Sequence, residues 1–172
     1  TYIGGLARNM HKGARKVQGR GTAGKTVVMG LLERHGEKGR STVRAAVMPD
    51  TKSETLQDKV KEHVEKGSDV YTDTLSSYVG LSEDYIHQAV NHAEAYVVGK
   101  VHTNGLENFW ALTKRCIKGT YISFAPFHTF RYLDEEVFRF NNRKLKDDGR
   151  FWLVLQSVSG KRLTYKKLTG NG

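Results

Sequence analysis

A length of 172 residues fits one domain with room for a core, and 38% hydrophobic residues with only 2 prolines and 18 glycines exclude a disordered or collagen-like chain. The balance of 28 Lys+Arg against 18 Asp+Glu leaves a net charge of +10, which favours a polyanionic partner, nucleic acid first, without by itself setting fold or chemistry. A single cysteine, Cys116, excludes an internal disulfide framework and a multi-thiolate zinc site, while no apolar run approaches the roughly 20 residues of a membrane span.

In chain order, Thr1-Tyr-Ile-Gly-Gly5 starts without a methionine and reads as part of a strand. A long basic, glycine-rich loop follows from Leu6 to Gly24 and carries His11, Lys12, Arg15, Lys16 and Arg20. From Lys25 the run Lys-Thr-Val-Val-Met-Gly-Leu-Leu, a turn at Gly36 and Gly39, and Thr-Val-Arg-Ala-Ala-Val-Met up to Pro49 predict a hairpin. Leu56, Val60 and Val64 recur every fourth position between Thr51 and Lys66, which predicts an amphipathic helix with Ser53 as N-cap and Gly67 as stop. A short strand over 69–72 delivers Asp73, and another covers 85–90.

A second helix is predicted from Asn104 to Lys118, with Leu106, Phe109 or Trp110, Thr113 and Ile117 on its apolar face. A third runs from Pro126 to about Asn142, with Phe127, Phe130, Leu133, Val137 and Phe138 read as core. The tail begins apolar at Phe151-Trp-Leu-Val-Leu, expected to pack, and ends basic. This order of strands and helices suits an α/β sheet with helices packed on its faces.

Two constellations compete for the chemistry. Gly19-Arg-Gly-Thr-Ala-Gly24-Lys25-Thr26 satisfies the P-loop pattern letter for letter, but a phosphate-cradling loop must open a helix, and a strand-like run follows here. The other joins Asp73, at the C-terminal end of a predicted strand, to Glu107, in the first turn of a predicted helix. Lys114 follows Glu107 by seven positions, so both side chains share a face about 10 Å apart along the axis. Asn104, Ala111 and Lys118 extend that face, which suits a metal ion at one point and a DNA phosphate at the other. Against this, Asn104-x-x-Glu107 also reads as a capping box, with Lys114 as plain surface. Asp73 alone is as well explained as a turn residue. His102 is a second-tier candidate near the site, and His87 and His92 make no recognisable zinc spacing.

Several segments together carry a resemblance: Thr1-Tyr-Ile-Gly-Gly5, Gly19 to Thr26, Val47-Met-Pro-Asp-Thr51, Tyr71-Thr-Asp73, Val101-His-Thr-Asn-Gly-Leu-Glu107, Lys114-Arg115, Gly119-Thr-Tyr121 and Phe138-Arg-Phe-Asn-Asn-Arg143. Over roughly Thr1 to Arg143 the chain resembles the DDE transposases of bacterial insertion sequences, in the group allied to Merlin elements. The resemblance implies an RNase H-like mixed sheet flanked by helices, with a catalytic domain over 1–145 and an extension over 146–172. It implies that Asp73 is the second catalytic acid, Glu107 the third and Lys114 the lysine that follows, with Asn104 an alternative or auxiliary metal ligand. The family's first acid lies in an Asp-Glu-Thr-Tyr-type motif, two residues before Thr1, so the chain as given is expected to be inactive. Asp50 is a poor substitute because it lies on the wrong strand.

The function so implied is metal-dependent DNA strand cleavage and strand transfer with two Mg²⁺ (or Mn²⁺) ions. Lys12, Arg15, Lys16 and Arg20, with Lys114, Arg115 and Lys118, are the expected DNA-backbone contacts. DNA is the expected partner, with a homo-oligomer assembled on it and no membrane, in the bacterial cytoplasm at the nucleoid. The alternatives are a non-catalytic nucleic-acid-binding domain and a P-loop NTPase built on Gly19 to Thr26.

Overall fold

The computed structural model describes residues 1–4, 13, 24–35, 39–90, 103–122 and 124–170. The β-branched runs pair as their pattern demands. Strands β1 (Tyr2–Ile3), β2 (Thr26–Glu33) and β3 (Thr42–Met48) form an antiparallel sheet in the order β1-β2-β3. The register runs from Val27 opposite Met48 to Glu33 opposite Thr42, and β1 sets Tyr2 against Val27 and Ile3 against Thr26.

Because side chains alternate across a strand, this register sorts the sheet into two faces. Val28 and Val43 join Ile3, Phe109, Trp110, Ile117 and Leu133 in one core cluster. Met29 and Met48 join Leu56, Val60, Leu81 and Tyr85 in the other. The sheet is therefore the middle layer, and full burial of each large side chain stabilises it by about 1.5–3 kcal/mol.

Helix α1 (Ser53–His63) covers the second face through Leu56 and Val60. Ser53 is its first residue rather than its cap: Lys52 occupies that position, with no side-chain cap hydrogen bond. The chain leaves through Val64 in extended conformation and turns at Gly67, whose φ of 82° a residue with a Cβ adopts only with strain. Strands β4 (Asp69–Asp73) and β5 (Ile86–Val90) form a parallel pair, connected through a 3₁₀ segment over Ser76–Glu83 that packs on α1.

The first face is covered by α2 (Asn104–Cys116), which continues as a π turn over Ile117–Tyr121, and by α3 (Thr129–Asn141), entered through a 3₁₀ turn at Pro126–His128. Phe109, Trp110, Thr113 and Ile117 are buried as the periodicity predicts. The expectation for α3 holds for Leu133 and fails for Phe127 and Phe130, which are exposed and flank the Arg131 guanidinium at 5.9 and 5.3 Å. An aromatic side chain has a second option beside burial, a cation on its face, and spacing alone cannot tell the two apart.

Beyond these lie α4 (Asp147–Val158) and α5 (Tyr165–Thr169). The apolar start of the tail, expected to pack, is exposed along α4 instead.

The architecture is mixed α/β. Among the described residues the five strands form two sheets rather than the one expected, since β1 has just two paired residues, both bonded to β2. No helix of the described residues is long and apolar enough to cross a membrane.

Candidate active site

Three elements bring the site together at the start of β1. Thr1 is locked to β2 by reciprocal backbone bonds, its amine to the Val28 carbonyl and the Val28 N–H to its own carbonyl, both 2.9 Å. Lys114 Nζ donates to Thr1 Oγ1 at 2.7 Å. Asp73 lies near enough for its charge to act on the same amine. Burial lowers the pKa of that amine most and Lys114 lowers it further, while Asp73 opposes both. Lys114 thus contacts Thr1 directly, and the charge of Asp73, 41 positions away by subtraction of their numbers, is felt at the same residue.

The packing of α2 fixes where Glu107 sits. A Cβ on Gly105 would lie 2.5 Å from Leu32 Cδ2, and one on Gly30 would lie 2.6 Å from Trp110 Cζ2 and 3.0 Å from Leu106 Cδ1. With Lys114 at Thr1, opposite Val28, the helix runs antiparallel to β2. Glu107 is therefore toward the Leu32 end of the strand and Lys114 toward its start. Glycine at 30 and 105 is what lets helix and strand approach so closely.

Glu107 accepts a hydrogen bond from Thr103 Oγ1 at 2.6 Å. The capping-box expectation is corrected here, because Thr103 is the cap residue and Asn104 opens the helix. Asn104 and Glu107 remain three positions apart on one exposed side of the first turn. Asp73 is exposed, its Oδ1 accepting the Leu75 N–H at 3.3 Å. Beside it, Thr72 Oγ1 donates to the Asp73 carbonyl at 2.8 Å and meets His87 Nε2 at 2.8 Å. A hydroxyl has one proton, so that arrangement makes His87 Nε2 the donor. Burial lowers the His87 pKa, in keeping with a neutral ring.

Lys25 is a contributor the sequence hid inside the P-loop pattern. It sits 3.1 Å, at Cγ, from where a Gly4 Cβ would be, and its charge adds to burial in lowering the Lys114 pKa. Two lysines held close at one strand end suit an anion. The hairpin register could have found it, because Ile3 opposite Thr26 puts Gly4 opposite Lys25. Arg34 lies over the Tyr71 ring at 5.6 Å, a contact with no signal in the sequence.

The P-loop reading fails on geometry. Thr26 opens β2, so the backbone amides after Lys25 enter a sheet ladder rather than a helix N-terminus. Arg115 and Lys118 are exposed along α2 and its π turn. Lys12, Arg15, Lys16, Arg20, His92 and His102 lie outside the described residues.

Carboxylate oxygens are the right donors for a hard divalent ion. Among the described residues, however, no three of His, Cys, Asp and Glu gather as a metal site.

A model of the ISXO2-like transposase domain matches residues 1–141. The chain belongs to this family of insertion-sequence transposases, within the DDE superfamily. The transposase domain is also 34% identical over 119 residues to an uncharacterized transposase-like protein of Haemophilus influenzae, covering 69% of this chain and 94% of that one. No solved structure matches it.

Proposed function

We propose that this domain carries out DNA strand cleavage and strand transfer in an RNase H-like frame, with Asp73 and Glu107 as catalytic acids. The observation that supports it most is the Lys114 contact to Thr1, at a point where the charge of Asp73 also acts, from elements far apart in sequence.

Continuing the β1–β2 register upstream sets a residue two positions before Thr1 opposite Gly30. The family resemblance implies its first acid at that position. It would face α2, the side on which Leu106 and Trp110 meet Gly30. Such an acid supplies the ligand the described residues lack. A divalent metal bound there would polarise the scissile phosphate and lower the pKa of an attacking water or DNA 3′ hydroxyl.

The chain's own residues do the rest. Asp73 and Glu107 would supply carboxylate oxygens to such an ion, with Asn104 as an auxiliary oxygen donor on the same turn as Glu107. Thr103 orients the Glu107 carboxylate through its hydroxyl. Lys114 and Lys25 set two cations where a phosphate of the bound strand would lie, positioning it without reading sequence.

In protein extended upstream to include that acid, Asp73→Asn and Glu107→Gln should each lower Mg²⁺-dependent nicking of a plasmid carrying the element's ends by at least about a hundredfold. Cleavage retained in Glu107→Gln and lost in Asn104→Ala would transfer the third-ligand role to Asn104. Cleavage retained in Asp73→Asn would end the reading.

A further inference from the structure

Helix α4 lies beyond the family match and carries an apolar surface that no element of the described residues covers. Trp152 is 59% exposed, Phe151 61% and Val158 51%, with Val154 and Leu155 also exposed. At 100° per residue, Val154, Val158, Phe151, Leu155 and Trp152 fall on one side of the helix, in a stripe about 160° wide. A stripe of that width on a surface helix is the size normally buried against a partner.

The charges at its ends say which partner. Asp147 and Asp148 open the stripe in the first turn. Lys161 and Arg162 follow its other end, and the Lys161 N–H bonds back to the Val158 carbonyl at 3.0 Å, which keeps that residue beside the helix terminus. Asp148 thus offers a carboxylate at one end of the stripe, and Lys161 and Arg162 offer cations at the other. Two copies laid antiparallel complement each other at both ends, as a two-fold interface requires.

One register matches the apolar centre and the charged ends, with Trp152 opposite Ser157 and, outside the helix, Arg143 opposite Lys166. With paired residue numbers summing to 309, Val154 meets Leu155 and Phe151 meets Val158. The same register sets Asp148 against Lys161 and Asp147 against Arg162. Lys146 and Lys144, which precede the helix, then fall opposite Leu163 and Tyr165 and meet no like charge. Asp147 already pairs with Arg150 in its own chain, so Asp148 is the acid more free to cross. The antiparallel arrangement also sets opposite helix-dipole ends together.

We infer that α4 is a self-association surface, through which two copies of this chain pair as antiparallel helices without DNA. The inference does not depend on the proposed catalysis, since none of these residues belongs to that site. Two helices of 12 residues bury less than a standard interface, so the dimer is weak and reversible, with a micromolar dissociation constant.

Sedimentation equilibrium of the DNA-free chain should show concentration-dependent doubling of the 19.4 kDa mass. Phe151→Glu with Leu155→Glu should weaken it by about a hundredfold or more with an unchanged circular dichroism spectrum, as both side chains are exposed. Asp148→Lys and Lys161→Asp should each weaken it about three- to tenfold, and together restore it to within about twofold of the parent. A mass that stays monomeric through the micromolar range overturns the proposal. So does a dimer indifferent to the Phe151 and Leu155 changes, or a charge swap that fails to restore pairing.

Discussion

The tightest constraints act on single atoms where α2 meets β2. Trp110 leaves no room for a methyl group on Gly30, and the indole is itself buried against Phe109 at 4.9 Å between ring centroids. Gly30→Ala should therefore destabilise the domain by about 1–3 kcal/mol in urea unfolding, as overpacking does. Gly105→Ala should cost less, because the atom in its way is the far end of the flexible Leu32 side chain and alanine favours a helix. Asn141 is a second such point. Its side chain accepts from the Val43 N–H at 2.8 Å and donates to the Val43 carbonyl at 2.9 Å, pairing the open edge of β3 as a neighbouring strand would. Asn141→Ala leaves both backbone groups to water or unpaired, an expected loss of about 1–3 kcal/mol by the same measurement. An unchanged midpoint in that variant would show that water replaces the amide without cost. None of these contacts is visible in the sequence, where Gly30 interrupts a strand and Asn141 ends a helix. Each is a meeting of residues far apart in the chain.

Elements were far more legible than contacts, for a reason rooted in periodicity. The hairpin of β2 and β3 and helices α1, α2 and α3 each announce themselves by a two- or four-residue apolar repeat that matches a buried face, whereas β4 and β5 show short apolar or β-branched runs without one. Caps were not legible: Ser53 and Asn104 have the right chemistry for an N-cap, yet each lies one residue inside its helix. Capping depends on backbone geometry that several neighbouring polar residues can each satisfy. The candidate site divides the same way. Asp73 and Lys114 were readable from strand-end and helix-face position, whereas Lys25 was obscured by a motif whose letters fit and whose context does not. Packing between elements also sets an alkaline limit. Tyr78 packs against the α1 face of the sheet, and its phenol pKa is raised to about 12, mainly by burial and then by the charge of Asp73. A folded-state pKa above the unfolded value of about 10 means that stability is fully present below pH 10 and lost as pH climbs toward 12. Thermal midpoints should fall through that window, and Tyr78→Phe should flatten the fall. An identical slope in the variant would assign the alkaline loss to other groups.

At the scale of the whole molecule the dominant fact is the charge of +10, and its distribution decides what it can do. Glu54, Asp58 and Glu62 of α1 line an open groove of about 490 Å³ with β3 and Lys59, on the opposite layer from α2, while α3 adds Asp134, Glu135 and Glu136 on the α2 side. The α2 side carries Lys114, Arg115 and Lys118. If a polyanion binds the face that holds the proposed catalytic acids, these three cations are its contacts. Binding of this kind releases counterions, so the logarithm of the affinity should fall linearly with the logarithm of salt concentration, by about 0.9 for each phosphate neutralised on duplex DNA. Removing Lys114, Arg115 and Lys118 together by alanine should therefore reduce the magnitude of the slope by about two to three, with little dependence on DNA sequence. Reversing Lys12, Arg15, Lys16 and Arg20 tests the basic loop by the same measurement, and a further reduction of about three to four is expected if all four touch phosphates. Fluorescence anisotropy with an unrelated duplex over a salt series measures both. A slope unchanged by the first set would mean that DNA approaches another face, and the acids Asp73 and Glu107 would then lack a substrate track beside them.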